Sequence, residues 1–239
     1  MSPLAIVTGA SSGIGEATAR HLSKEGFSLL LLARRFERLE SLGLPNTLCR
    51  RIDVRDHEAV AVAVREAESV FGPAELLVNN AGLMQLGAVA DQKRQEWQDM
   101  FDVNVVALLN ACQTVLPGMT ARRRGTIVNI GSIAGRNVYG NHTAYCGTKF
   151  AVHAISESLR KEVAADGVRI VVVAPGLVET ELLDHTSSED IKAGYRDYKE
   201  SVGGAIPPED VAEAIHWAYS LPSRTCIREI VLAPTTQDA

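Results

Sequence analysis

Aromatic side chains are scarce: five phenylalanines, five tyrosines and two tryptophans among 239 residues. The 46% apolar content therefore rests on alanine, valine, leucine and isoleucine, which suit buried strands and close helix packing. Cysteines are few. Cys49, Cys112, Cys146 and Cys226 lie far apart with no CxxC pair, and six histidines form neither HExxH nor an i, i+4 pair. That argues against a disulfide framework and against a metal site, and leaves reduced thiols in a cytoplasmic protein as the expectation. Positive charge is in deficit, 24 basic against 29 acidic residues, net −5. Nucleic acids and anionic membranes both attract basic patches, so neither is an expected partner. The one basic run, Arg122–Arg124, reads as a solvated helix end. No apolar run approaches the ~20 residues that span a bilayer. A strand-like run begins at Leu4, which leaves no room for a signal peptide.

The length and near-average composition predict one globular domain, residues 1–239. Strand-like and helix-like segments alternate along it. Leu4–Thr8, Ser28–Ala33, Thr47–Val54, Glu75–Asn79, Thr126–Ile130, Val168–Ala174 and Glu229–Leu232 read as strands. Helices are expected over Glu16–Glu25, Arg35–Ser41, Asp56–Phe71 (Asp56 as N-cap), Gln92–Arg122, Ala144–Ala165 and Pro207–Ser220. This alternation predicts an α/β fold: a doubly wound, mostly parallel seven-stranded sheet with helices on both faces, of Rossmann type. Gly176–Ile206 breaks the rhythm with a polar stretch and is expected to be a substrate lid.

In such sheets ligands bind beyond the carboxyl ends of the strands. After the first strand stands Thr8-Gly9-Ala10-Ser11-Ser12-Gly13-Ile14-Gly15. Its glycines let backbone approach a pyrophosphate, and the following helix offers free N–H groups and a positive dipole end. Nineteen residues after Gly15 come Arg34 and Arg35, where an acid would bond a ribose 2′-OH and an arginine accommodates a 2′-phosphate. NADP is therefore expected over NAD. The competing reading pairs the two arginines with Glu37 and Glu40 on one helix.

With these residues and those that follow, the chain resembles the short-chain dehydrogenase/reductase family in its one-domain form. TGASSGIG is similar to that family's TGxxxGxG turn, and Asn79-Asn80-Ala81-Gly82 to its NNAG segment. Ser132, then Tyr145 and Lys149 after a thirteen-residue step from Ser to Tyr, resemble its Ser, Tyr-x-x-x-Lys pattern. Pro175-Gly176 and Thr180 resemble its PG…T segment. The resemblance covers the whole chain. It implies Ser132, Tyr145, Lys149 and Asn104 as the catalytic group, Asn104 through a water that links Lys149 to solvent. It implies cofactor contacts from Gly9, Ser11, Ser12, Gly13, Ile14, Gly15, Arg34, Arg35, Asp53, Val54, Asn80, Ala81, Gly82, Tyr145, Lys149, Pro175, Gly176, Val178 and Thr180. Asp53 and Val54 would lie beside adenine. It also implies a homo-oligomer, dimer or tetramer, through the long and catalytic helices, whose apolar or small residues occupy more than one face.

The residues themselves argue the chemistry. Tyr145 and Lys149 are i, i+4 and share a helix face. A free tyrosine titrates at about 10, too high for acid–base work near neutrality, and a nearby cation favours the phenolate. Tyr145 would then exchange a proton with a carbonyl or alcohol oxygen, and Ser132 would bond the same oxygen. Tyr139, Met84, Ile133, Leu177 and Val178 are candidate substrate contacts. Arg136, four residues after Ser132, is a candidate for an anionic substrate group, or else pairs with a lid carboxylate such as Glu181. Gly147 within a helix anticipates a close backbone contact. His142 and His153 read as solvated or packed. A sugar-nucleotide epimerase would show TGxxGxxG and a larger C-terminal domain. A non-catalytic NADP-binding redox sensor would tend to lack Tyr or Lys.

Overall fold

A computed structural model describes residues 2–238. Seven strands form one all-parallel sheet in the order β3-β2-β1-β4-β5-β6-β7. They are β1 Leu4–Thr8, β2 Ser28–Ala33, β3 Thr47–Arg51, β4 Ala74–Asn79, β5 Gly125–Ile130, β6 Val168–Pro175 and β7 Glu229–Leu232. The expected architecture is present, a doubly wound α/β sheet of Rossmann type. The strand order reverses between β1 and β4, the switch point where such folds hold ligands.

Alternate side chains of each strand enter two separate cores. Leu4, Ile6, Leu30, Leu32, Leu77 and Ile127 face α3 (His57–Phe71), α5 (Ala107–Ala121) and α6 (Thr143–Val163). Ala5, Val7, Leu29, Leu31, Val78 and Val171 face α1 (Gly13–Lys24), α2 (Phe36–Glu40) and α8 (Pro208–Ser220). Both faces of β2 are covered, which explains its unbroken SLLLLA run. Asp56 caps α3 as expected, accepting a hydrogen bond from Ala59 N at 3.0 Å.

Three expectations need correction. The helix expected over Gln92–Arg122 is α4 (Arg94–Phe101), a π-helical turn at Asp102–Val106, then α5. Apolar spacing cannot register one widened turn. The stretch Arg94–Ala121 is also long and apolar enough, by length and composition, to cross a membrane, unlike the expectation from apolar runs. Here Leu108, Ala111, Cys112, Val115 and Met119 bury one side of it. Finally, Gly176–Ile206, expected as a polar stretch that breaks the strand–helix rhythm, carries regular structure. It contains a 3-10 turn at Glu181–His185 and α7 (Glu189–Ser201), and its ends are joined by a bridge between Val178 and Ile206.

Candidate active site

The phosphate turn is fixed from beneath by β4. Thr8 Oγ1 accepts from Asn80 N and Ala81 N, each at 3.0 Å, while Asn80 Nδ2 donates to Thr8 O at 2.9 Å and Gly9 O at 3.2 Å. Gly15 does not line the cleft as expected. A Cβ there would overlap Gly9 O and the Asn80 amide, so it is a packing glycine. Gly13, at φ +53°, starts α1, and its open side touches the Thr180 methyl. Ser12 precedes α1 without bonding its first N–H groups, so that helix end carries no side-chain cap.

Arginines gather beside this turn. Arg35 donates Nε to Ser11 Oγ (3.2 Å), Nη2 to Ser12 Oγ (2.6 Å) and Nη1 to Glu181 Oε2 (2.6 Å). Arg38, which the sequence reading did not assign, donates Nη1 to Glu181 Oε1 at 2.7 Å. Pairing of Arg34 and Arg35 with Glu37 and Glu40 does not occur: Glu37 is bonded by Arg51. Arg34 also lines the cleft. Asp53 and Val54 do so as well, but the Asp53 carboxylate is held by Arg55, whose bonds keep it below the usual carboxylate range.

Ser132, Tyr145 and Lys149 face the same cleft, of about 1440 Å³. Lys149 Nζ donates to Ile130 O at 2.9 Å and stands 5.8 Å from the Tyr145 ring centroid. Burial pulls the Lys149 ammonium down to about 8. Burial pushes the Tyr145 phenol up, with the Ser132 hydroxyl acting the other way. The expected lowering by Lys149 is not found: desolvation governs the phenol, which holds its proton. Asn104 sits in the π turn and does not line the cleft. Its Oδ1 accepts from Leu83 N at 2.8 Å, and its Nδ2 donates to Leu83 O and Thr148 Oγ1 at 2.9 and 3.0 Å. The π turn thereby ties the segment after β4 to the helix that carries Tyr145.

His153 proves to be packed under the Ser132 loop. Its Nε2 accepts from Ser132 N at 3.5 Å, its Nδ1 faces Glu229 at 3.4 Å, and burial lowers its pKa. Glu229 also takes both prongs of Arg136, at 2.7 and 2.6 Å. Arg136 therefore neither lines the cleft nor reaches Glu181, and its candidacy for an anionic substrate ends. Gly147 makes no close contact: an added Cβ would meet Phe101 at an ordinary 3.6 Å. Four of the five tyrosines, Tyr139, Tyr145, Tyr195 and Tyr198, line the cleft, with half-buried His142 among them. His142 lies 6.5 Å from the Tyr195 ring, nearly parallel, and 6.3 Å from Tyr145. Away from the cleft, His21 Nε2 and His216 Nδ1 meet at 3.2 Å, a hydrogen bond between two helices that sequence spacing could not foresee.

An uncapped helix end, three arginines and a floor of small residues suit a dinucleotide with an extra phosphate. Arg34, Arg35 and Arg38 would meet that phosphate, and Lys149 and Tyr145 lie at the other end of the cleft.

The family model for short chain dehydrogenase matches residues 3–191. An uncharacterized oxidoreductase of Staphylococcus saprophyticus is 40% identical over 238 residues, 97% of this chain and 96% of that protein. A glycine betaine reductase of Emericella nidulans is 40% identical over 240 residues, 97% of this chain but 18% of that much longer protein. Among solved structures, the closed form of a serine dehydrogenase complexed with NADP+ superposes with a TM-score of 0.90 at 32% identity, covering 99% of this chain and 96% of that one. With a family model over most of its length and a full-length relative at this identity, the chain belongs to the short chain dehydrogenase family.

Proposed function

We propose that this oxidoreductase transfers a hydride between NADP(H) and a carbonyl or secondary-alcohol substrate, with Tyr145 as the acid/base. One observation carries the reading. A buried phenol, hydroxyl and ammonium (Tyr145, Ser132, Lys149) face the same cleft as an uncapped helix end and three arginines. The NADP+ held by the serine dehydrogenase of the same fold supports the cofactor.

Bound NADPH supplies the hydride, and the remaining tasks fall to the chain. Burial keeps a proton on Tyr145 Oη, ready for a carbonyl oxygen during reduction. In the reverse direction the tyrosine must first lose its proton, and its phenolate oxygen then takes the proton from a hydroxyl. Ser132 Oγ donates a hydrogen bond to that oxygen as charge develops on it. Lys149, drawn to about 8, is mostly charged at neutrality and can return a proton to the tyrosine. Asn104 positions the Tyr145 helix rather than touching reactants.

Residues 1–239 act as one unit, and Gly176–Ile206 is its substrate lid, since α7 spans the tyrosine-lined end of the cleft. Phe101, Val106, Leu109 and Phe150 are large, apolar and exposed on α4–α6, which supports a homo-oligomer through those helices. Four unpaired cysteines support a reducing, cytoplasmic setting.

The test is NADPH oxidation against a panel of aldehydes and ketones, with NADH in parallel. Turnover with NADPH preferred is expected. Replacing both Arg34 and Arg35 should cut that preference about tenfold or more, since bonds to a charged group are worth about 1.5–3 kcal/mol each. Tight NADPH binding with no turnover of any carbonyl or alcohol would point instead to a redox sensor.

A further inference from the structure

Glu181 does something that neither the fold nor the hydride chemistry requires. It follows Thr180, whose methyl rests on Gly13, so it projects from the lid beside the phosphate turn. Its two oxygens straddle two guanidiniums, Oε2 on Arg35 at 2.6 Å and Oε1 on Arg38 at 2.7 Å. This is how a phosphate is gripped by paired arginines. Arg35 is engaged through all three of its nitrogens, Nε and Nη2 lying on Ser11 and Ser12. The two arginines hold the carboxyl down to about 2, so it is an anion throughout the physiological range.

We propose that Glu181 is a specificity-determining residue for the cofactor: a lid carboxylate that competes with the 2′-phosphate of NADP(H) for Arg35 and Arg38. The proposal rests on the reading that these arginines face the adenosine ribose. A 2′-phosphate brings about −1.5 to −2 charges near neutrality to donors already held by an anion. The two anions repel, so the phosphate binds fully only when Glu181 lets go. A nucleotide with a free 2′-OH makes no such demand and leaves the bridge intact. The bridge thus lowers affinity for the phosphorylated cofactor and couples its arrival to release of the lid's first turn. Glu181 is 45% exposed and its partners 46% and 49%, so the effect is a modest factor rather than orders of magnitude.

The experiment is calorimetric binding of 2′,5′-ADP and 5′-ADP, then NADP+ and NAD+, to the full chain and to Glu181→Gln. The variant should bind 2′,5′-ADP and NADP+ about three- to tenfold more tightly, the range of one or two half-exposed ion pairs, with 5′-ADP and NAD+ unchanged. The gain should vanish when Glu181→Gln is made in an Arg35→Ala/Arg38→Ala background. Unchanged or weaker binding of 2′,5′-ADP by Glu181→Gln, in a protein of unaltered melting temperature, overturns the competition. A wild type that fails to prefer 2′,5′-ADP over 5′-ADP overturns the arginine reading beneath it as well. These two failures are distinguishable, because the second appears before any variant is made.

Discussion

The phosphate turn and the lid across it are held in contrasting ways. Beneath the turn, four bonds join Thr8 and Gly9 to Asn80 and Ala81, and behind them runs a buried chain from Asn79 Nδ2 to Asn129 Oδ1 (2.9 Å) and from Asn129 Nδ2 to Ser156 Oγ (2.8 Å). That chain joins β4, β5 and α6, the three elements that carry the cofactor floor and Tyr145. The lid has little of this kind. No residue of α7 is fully buried, and the lid's ion pairs are open to water, Glu181 with Arg35 and Arg38 outside it and Lys199 with Glu179 within it. One buried tie stands out: Thr186 Oγ1 accepts from Leu86 N and donates to Met84 O, both at 3.1 Å. Exposed pairs contribute little and rearrange cheaply, whereas a satisfied buried network fixes geometry. The difference places rigidity beneath the phosphate turn and adjustability in the segment across it.

The comparison can be broken from its strong side first. Asn129→Ala removes two buried hydrogen bonds, leaving Asn79 Nδ2 only Cys112 Sγ at 3.3 Å and the Ser156 hydroxyl only its bond to Val152 O, and should cost about 2–4 kcal/mol in urea unfolding. A loss below about 0.5 kcal/mol, the level of an ordinary surface change, would mean the network is not what holds the floor.

Lys149→Met should act with the opposite sign, stabilising the protein without added cofactor by about 1–3 kcal/mol once the lost bond to Ile130 O is counted. Burial lowers the folded-state pKa from 10.5 to about 8. Between those values the unfolded chain carries more protons, so wild-type stability should rise with pH across that window relative to the variant. Below about 8 both states are charged and the difference is constant. Parallel stability curves for the two proteins from pH 7 to pH 10, read as melting temperatures, would contradict the buried-ammonium reading.

On the lid side, Thr186→Val should change global stability by about 1 kcal/mol or less while hydrogen exchange across residues 181–201 accelerates. Unaltered exchange there would show that Thr186 does not anchor the lid. Smallest of all, Lys199→Ala should move stability by no more than about 0.5 kcal/mol, because its partner Glu179 is mostly exposed. A larger loss would place the lid among the rigid parts of the molecule.

Much of the rigid half was legible in the sequence because it is carried by contiguous motifs at strand ends. Gly9, Ser11 to Gly13, Asn80 to Gly82 and Pro175 to Thr180 all line the cleft. What escaped are residues that meet only in the folded chain. Asn129, Ser156, His153 and Glu229 are isolated in sequence and become partners through β5, α6 and β7. Arg136 looked available because its partner lies 93 positions away. The π turn escaped because one extra residue leaves the helical spacing of Trp97, Phe101 and Val105 nearly unchanged. The lid helix did leave a trace: Ile191, Tyr195 and Tyr198 fall at helical spacing behind Ser188, whose hydroxyl accepts from Ile191 N at 3.4 Å. Its polar composition hid that trace. Arg38 stands three residues after Arg35, near enough on one helix turn to share a ligand.

In the proposed reaction the cleft separates cofactor holding from proton transfer and gives the second task to Tyr145. The direct measurement is a paired one on Tyr145→Phe: NADPH affinity by fluorescence titration, and NADPH oxidation in a single turnover with a carbonyl that the wild type reduces. The account predicts an affinity within about threefold of wild type and a hydride-transfer rate lower by about 10²–10⁴, the usual contribution of a positioned general acid. A variant that binds NADPH normally and still oxidises it within about tenfold of the wild-type rate would contradict the assignment of Tyr145.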